Sequence, residues 1–176
     1  MKLIVGVLTV LSVGTICVFA QSPPSSGDDW FKSLSFLEGE WSAGTQSAAG
    51  APNVVGSYTF RRELGGHVLA RHSSSVSCKG PTDFDCEHRD LLYIFAEGQG
   101  HELKAIYFDN EGHVIHYSVS TPTPSRAVLL SDPSVPGPQF RLVYELKDKV
   151  MSGKFQMHMP ASSEWKSYLE WSGAKR

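Results

Sequence analysis

From residue 54 to its end, the chain is written in short runs of alternating apolar and polar residues, separated by Pro, Gly, Asp and Ser. A period of two puts successive side chains on opposite faces of an extended strand, so this pattern restricts the chain to β-structure. In "VVGSYTFRREL", Gly56, Tyr58 and Phe60 share one face, and Ser57, Thr59 and Arg61 the other. "HVLARHSSSVSC" places Val68, Ala70, His72, Ser74 and Val76 together. "DLLYIFAEG" is apolar on both faces, and "HELKAIYFDNEGHVIHYSVS" reads as two strands around a "DNEG" hairpin loop. "RAVLLSD", "QFRLVYEL", "KVMSGKFQMHM" and "SEWKSYLEWSG" complete roughly nine or ten strands at the spacing of an all-β barrel or sandwich.

The late strands are the most explicit. Phe140, Leu142 and Tyr144 oppose Arg141 and Glu145. Met151, Gly153, Phe155, Met157 and Met159 oppose Ser152, Lys154, Gln156 and His158. Trp165, Leu169 and Trp171 oppose Glu164, Lys166, Tyr168 and Glu170. A meander with one apolar and one charged face closes most naturally into a barrel with an apolar interior, which also removes the sheet edges. The expected fold is therefore all-β, an antiparallel up-and-down barrel of about eight to ten strands, with a solidly packed sandwich as the alternative.

Ahead of the strands, "DDWFKSLSFL" predicts a short helix capped by Asp28 or Asp29, with Trp30, Leu34 and Leu37 on one stripe. Residues 21–30 read as a flexible linker and residues 1–20 as a secretory signal. Lys2 supplies the positive charge, "LIVGVLTVLSVGTICVF" the apolar run, and "VFA" a cleavage site after Ala20. The barrel domain is then residues 31–176. The chain is expected to be exported, to periplasm or medium, with no stable membrane anchor after cleavage. The formal net charge is −2 and there is no long basic run, which argues against nucleic acid as a partner.

Cleavage would remove Cys17 and leave Cys78 and Cys86, in "CKGPTDFDC". Two cysteines in an oxidising compartment predict a disulfide, with Gly80-Pro81 turning the chain between them. Zinc would need His88 and a further ligand at no standard spacing, and a redox pair would be C-x-x-C.

"FLEGEWSAG" resembles the Gly-x-Trp opening of calycin barrels, the group that includes lipocalins and nitrobindin-like proteins. "YTFRRELGGHVLARH" and the ending "GKFQMHMPASSEWKSYLEWSGAKR" resemble a family of small bacterial barrels, many of them exported. In calycins the Trp of this motif plugs the closed end beneath an N-terminal helix, and a basic residue of the last strand lies over its ring. The resemblance implies a structural role for Trp41 with Lys175 or Arg176. Gly65-Gly66 reads as a turn needing positive φ rather than a phosphate cradle.

No nucleophile, base and orienting group can be assembled, so catalysis is not expected. "RHSSS" puts His72 near Ser74, but a polar patch in a barrel wall accounts for the pair. Asp83, Asp85, Glu87 and Asp90 read as a solvated acidic turn. Met157 and Met159 could hold Cu(I), although core filler is the commoner use of such residues. A haem, as in nitrobindin-like proteins, would require one imidazole ligand, with His72 the first candidate and His158 the second.

The expected function is to hold a small apolar or amphipathic molecule inside the barrel, without chemistry, metal or cofactor. The expected lining is Tyr58, Phe60, His72, Tyr117, Phe140, Leu142, Phe155, Met157 and Trp165, with Tyr58, Tyr117 and His72 orienting the ligand. The alternatives are a haem-binding barrel and a solid barrel that acts through its surface.

Overall fold

A computed structural model describes residues 29–45, 53–79 and 86–176. The expected signal (1–20), most of the linker (21–30), the Gly80-Pro81 turn, Asp83 and Asp85 lie outside the described residues. Among the described residues ten strands follow one another: β1 Gly39–Thr45, β2 Asn53–Glu63, β3 Val68–Lys79, β4 Asp90–Glu97, β5 Glu102–Asp109, β6 Val114–Thr123, β7 Arg126–Ser131, β8 Gln139–Lys147, β9 Val150–His158 and β10 Lys166–Ala174. Each pairs antiparallel with its neighbours in sequence, and β1 pairs with β10, so the sheet is a closed up-and-down barrel. At the seam, the Ser42 hydroxyl donates to the Ala174 carbonyl and accepts from its N–H, at 2.9 and 3.0 Å. Among the described residues no helix is long and apolar enough to cross a membrane.

The interior follows from the register. Phe60 lies opposite Arg71, Arg71 opposite Leu92, and Leu92 opposite Tyr107. Leu129 lies opposite Leu142, Leu142 opposite Phe155, and Phe155 opposite Leu169. Directly paired residues share a face, so these rows run around the inner wall. The buried core includes Tyr58, Phe60, Leu69, Leu92, Ile94, Leu129, Leu142, Tyr144 and Met151. Each such side chain taken from water contributes about 1.5–3 kcal/mol.

One end is plugged. The expected helix is a 3₁₀ segment, Lys32–Leu37, which together with the residue before it buries Phe31, Leu34 and Leu37 over the end where β1 begins. Six residues make two tight 3₁₀ turns, too few for a stable α-helix. Trp30 is off the expected stripe and stacks on His101 with ring centroids 4.7 Å apart. Asp29 accepts the Phe31 N–H at 3.1 Å. Arg62 fastens the segment to the barrel: its guanidinium donates to Asp29 at 2.7 and 3.0 Å and to Glu38 at 3.0 and 2.8 Å. The bond from Arg62 is the largest reason the Asp29 carboxyl sits below its usual range.

Trp41 lies beneath the plug, its indole N–H donating to the Leu37 carbonyl at 2.7 Å. Lys175 Nζ is 5.5 Å from the Trp41 ring centroid, while Arg176 instead donates to the Glu40 carboxylate at 2.9 Å. Gly39 allows this arrangement. Its φ is +120°, and a Cβ there would overlap the Lys175 side chain. Leu64, Gly65 and Gly66 make the β2–β3 turn, all with positive φ. Cys78 and Cys86 form a disulfide that joins the end of β3 to the approach to β4.

Candidate functional site

The end of the barrel remote from the plug holds a cavity of about 490 Å³. Ala43 and Thr45 of β1, Val54, Gly56 and Tyr58 of β2, and Leu169 and Trp171 of β10 form one wall. Arg71 and Ser73 of β3, with His88, Arg89 and Asp90 leading into β4, form the other. One side is apolar and the other is polar.

Trp171 lies in the inner wall because its partner across the β9–β10 ladder is Gly153. A Cβ at position 153 would overlap the indole. The ring also meets Tyr144 edge-on, with centroids 5.9 Å apart. The apolar wall is therefore fixed by packing rather than left to side-chain motion.

The polar side centres on Arg71, which is 5% exposed. A buried charge requires a partner. The guanidinium Nη2 lies 2.6 Å from Asp90 Oδ1, and Nη1 donates to the Tyr144 hydroxyl. Burial pulls the Arg71 pKa down, but the Asp90 carboxylate and Tyr144 outweigh it and hold the group charged. Burial is also the main reason the hydroxyls of Tyr58, Tyr107, Tyr117 and Tyr144 are pushed above their ordinary range. All four therefore remain neutral at physiological pH.

This cluster is only partly satisfied. Arg71 Nε, Asp90 Oδ1 and the hydroxyls of Tyr58 and Tyr117 are buried without an aligned hydrogen bond, and only two further such side-chain atoms occur among the described residues. The Arg71–Asp90 contact is thus a close ion pair off the hydrogen-bond direction. Trp171 lies near enough to the Tyr58 hydroxyl to favour its ionised form, without aligned bonding. At the rim, His88 Nδ1 is 2.9 Å from Glu111 and Nε2 is 2.9 Å from the Tyr107 hydroxyl. A carboxylate can only accept, so Nδ1 carries the proton, and in neutral His88 Nε2 accepts from Tyr107.

The structure places seven of the nine expected lining residues on the inner wall: Tyr58, Phe60, Tyr117, Phe140, Leu142, Phe155 and Met157. Of these only Tyr58 borders the cavity. Phe60, Tyr117 and Leu142 belong to the packed core, and Phe140 and Phe155 stack with centroids 5.6 Å apart. His72 faces outward. It pairs with Thr59, and its Nε2 is 2.9 Å from the Glu63 carboxylate. The inward positions of β3 are Leu69, Arg71 and Ser73, because the ion pair lets a charge occupy the wall. Trp165 also faces outward, its ring 4.3 Å from the Arg141 guanidinium. A bulge between Ser167 and Leu169 shifts the register by one residue and reverses the alternation that would place Trp165 beside Leu169.

His158 packs against Trp165 on the outer wall, with centroids 5.3 Å apart. Neither His72 nor His158 thus points into the barrel, where an axial haem ligand would have to stand. Ser74 bonds to Ser57 at 3.2 Å rather than to His72. Among the described residues no three His, Cys, Asp or Glu side chains converge as a metal site. Arg71 and Trp171 are not among the expected lining residues, and Asp90, expected in a solvated acidic turn, instead pairs with Arg71 at the cavity. The signal available was the Gly153–Trp171 pair on adjacent inward positions.

No family model matches the chain, and no curated protein matches it.

Proposed function

We propose that this protein is an exported, calycin-like barrel that holds one small apolar or amphipathic molecule in the cavity at its open end, without catalysis. The observation that carries the reading is the cavity itself. Its volume of about 490 Å³ lies in the range of small-molecule sites, and its apolar wall faces a few fixed polar groups. Export is supported by the Cys78–Cys86 disulfide, which suits an oxidising compartment, together with the signal-like N-terminus.

Native mass spectrometry of the purified protein after incubation with a lipid extract tests the reading. A small bound mass is expected, and it should be lost in Ala43→Phe, which fills the cavity from β1. Absence of any adduct, or an adduct unaffected by Ala43→Phe, would contradict it.

A further inference from the structure

Charge balance at the cavity floor carries the reading further. Arg71 and Asp90 face each other across 2.6 Å, and both border the cavity. Together they sum to zero charge. A ligand carboxylate brought beside them meets attraction from one and repulsion from the other at similar range. The two largely cancel, while the cost of dehydrating the anion remains. A neutral head group escapes that cost.

The same floor offers hydrogen bonds to a neutral head. The Arg71 Nε–H and the Tyr58 hydroxyl are donors without aligned acceptors, on side chains 5% and 4% exposed. Tyr58 also has free acceptor capacity. Both side chains line the cavity, beside Leu169 and Trp171. Buried donors left unmet are costly, so a group that meets them gains selectivity. The other lining residues able to carry positive charge, His88 and Arg89, stand at the exposed rim, where water and salt screen them.

We propose that the ligand has an uncharged polar head with an acceptor oxygen, an amide or hydroxyl class of group, held between Arg71 and Tyr58 with its apolar part against Leu169 and Trp171. The inference rests on the ligand-binding reading above and names the class of molecule that site takes.

Decanamide and decanoate are near-isosteric and differ in charge, so their affinities at pH 7.5, measured by calorimetry below their aggregation limits, isolate the effect. The expected result is at least tenfold tighter binding of decanamide by the unmodified protein. Asp90→Asn leaves Arg71 unbalanced, and decanoate should then bind at least as tightly as decanamide. Equal binding of the two by the unmodified protein, or a preference for decanoate, overturns the neutral-head inference and leaves ligand binding standing. An unchanged preference in folded Asp90→Asn overturns it too. If neither compound binds, both the inference and the ligand-binding reading fall. The comparison in the unmodified protein decides the matter even if Asp90→Asn does not fold.

Discussion

Arg71 and Asp90 stand 2.6 Å apart on the inner wall of the barrel, and this ion pair determines what the cavity floor can do. It lets a charge occupy a position that alternation alone would give to an apolar residue. It also leaves the floor neutral, polar and incompletely bonded.

Removing one partner of this pair should be far worse than removing both. Arg71→Met strands the Asp90 carboxylate and is expected to lower unfolding free energy by about 3–5 kcal/mol. The Arg71→Met/Asp90→Leu double variant should recover most of that loss. Urea unfolding of the two single variants and the double closes the cycle, and additive losses would show that the pair is not coupled.

The plugged end makes a separate prediction. Lys175→Met removes the charge over Trp41 and should cost about 1 kcal/mol, whereas Trp41→Ala should cost about 3–5 kcal/mol through the cavity it leaves. Gly39→Ala is expected to be destabilising despite its small size, because it meets both the positive φ and the Lys175 side chain. Thermal unfolding ranks the three. A neutral Gly39→Ala would contradict the close packing described here.

Replacing Cys78 and Cys86 together by Ala should lower stability by roughly 2–3 kcal/mol, since the bond closes a short loop. The fold should persist, because neither cysteine belongs to the buried core. Far-ultraviolet circular dichroism and urea titration read both outcomes.

Acid should loosen the β5–β6 hairpin through Asp109. Its side chain is 4% exposed and accepts the Glu111 and His113 N–H groups at 3.0 and 2.9 Å, and His113 Nδ1 at 2.9 Å. Burial pulls its pKa up, but the bonds from His113 and Glu111 outweigh it and the net shift is downward. A carboxyl lowered in the folded state contributes fully above its unfolded value of about 3.9, and that contribution is lost as pH falls through the folded value. Asp109→Asn should therefore cost about 1–2 kcal/mol at pH 7 and flatten the decline in stability below about pH 4. An unchanged acid limb would assign the loss to other carboxylates.

The barrel was legible in the sequence because alternation runs unbroken through most strands. Phe140, Leu142, Phe155 and Leu169 lie inward where period two puts them. Trp165 and His72 are not where the pattern points, for two different reasons. The bulge at Ser167–Leu169 adds a residue that no local composition announces. In β3 the inward row is Leu69, Arg71 and Ser73, and the outward row holds Ala70 and His72, so polarity is misleading on both faces. Arg71 becomes an interior residue only once Asp90, 19 positions later, lies across the ladder. The cavity was hidden for the same reason: its floor is a charge pair and its wall includes Ala43, Gly56 and Ser73, none of which marks a binding site alone.

The most direct test of interior binding is a ¹⁵N-resolved NMR titration of the protein with decanamide and, separately, with decanoate. Ligand in the cavity should move the Trp171 indole N–H and the amides of Ala43, Ser73 and Leu169, while Trp165 and Gln156 on the outer wall stay fixed. Shifts confined to the outer wall, or none with either compound, would contradict the account and assign the protein's activity to its surface.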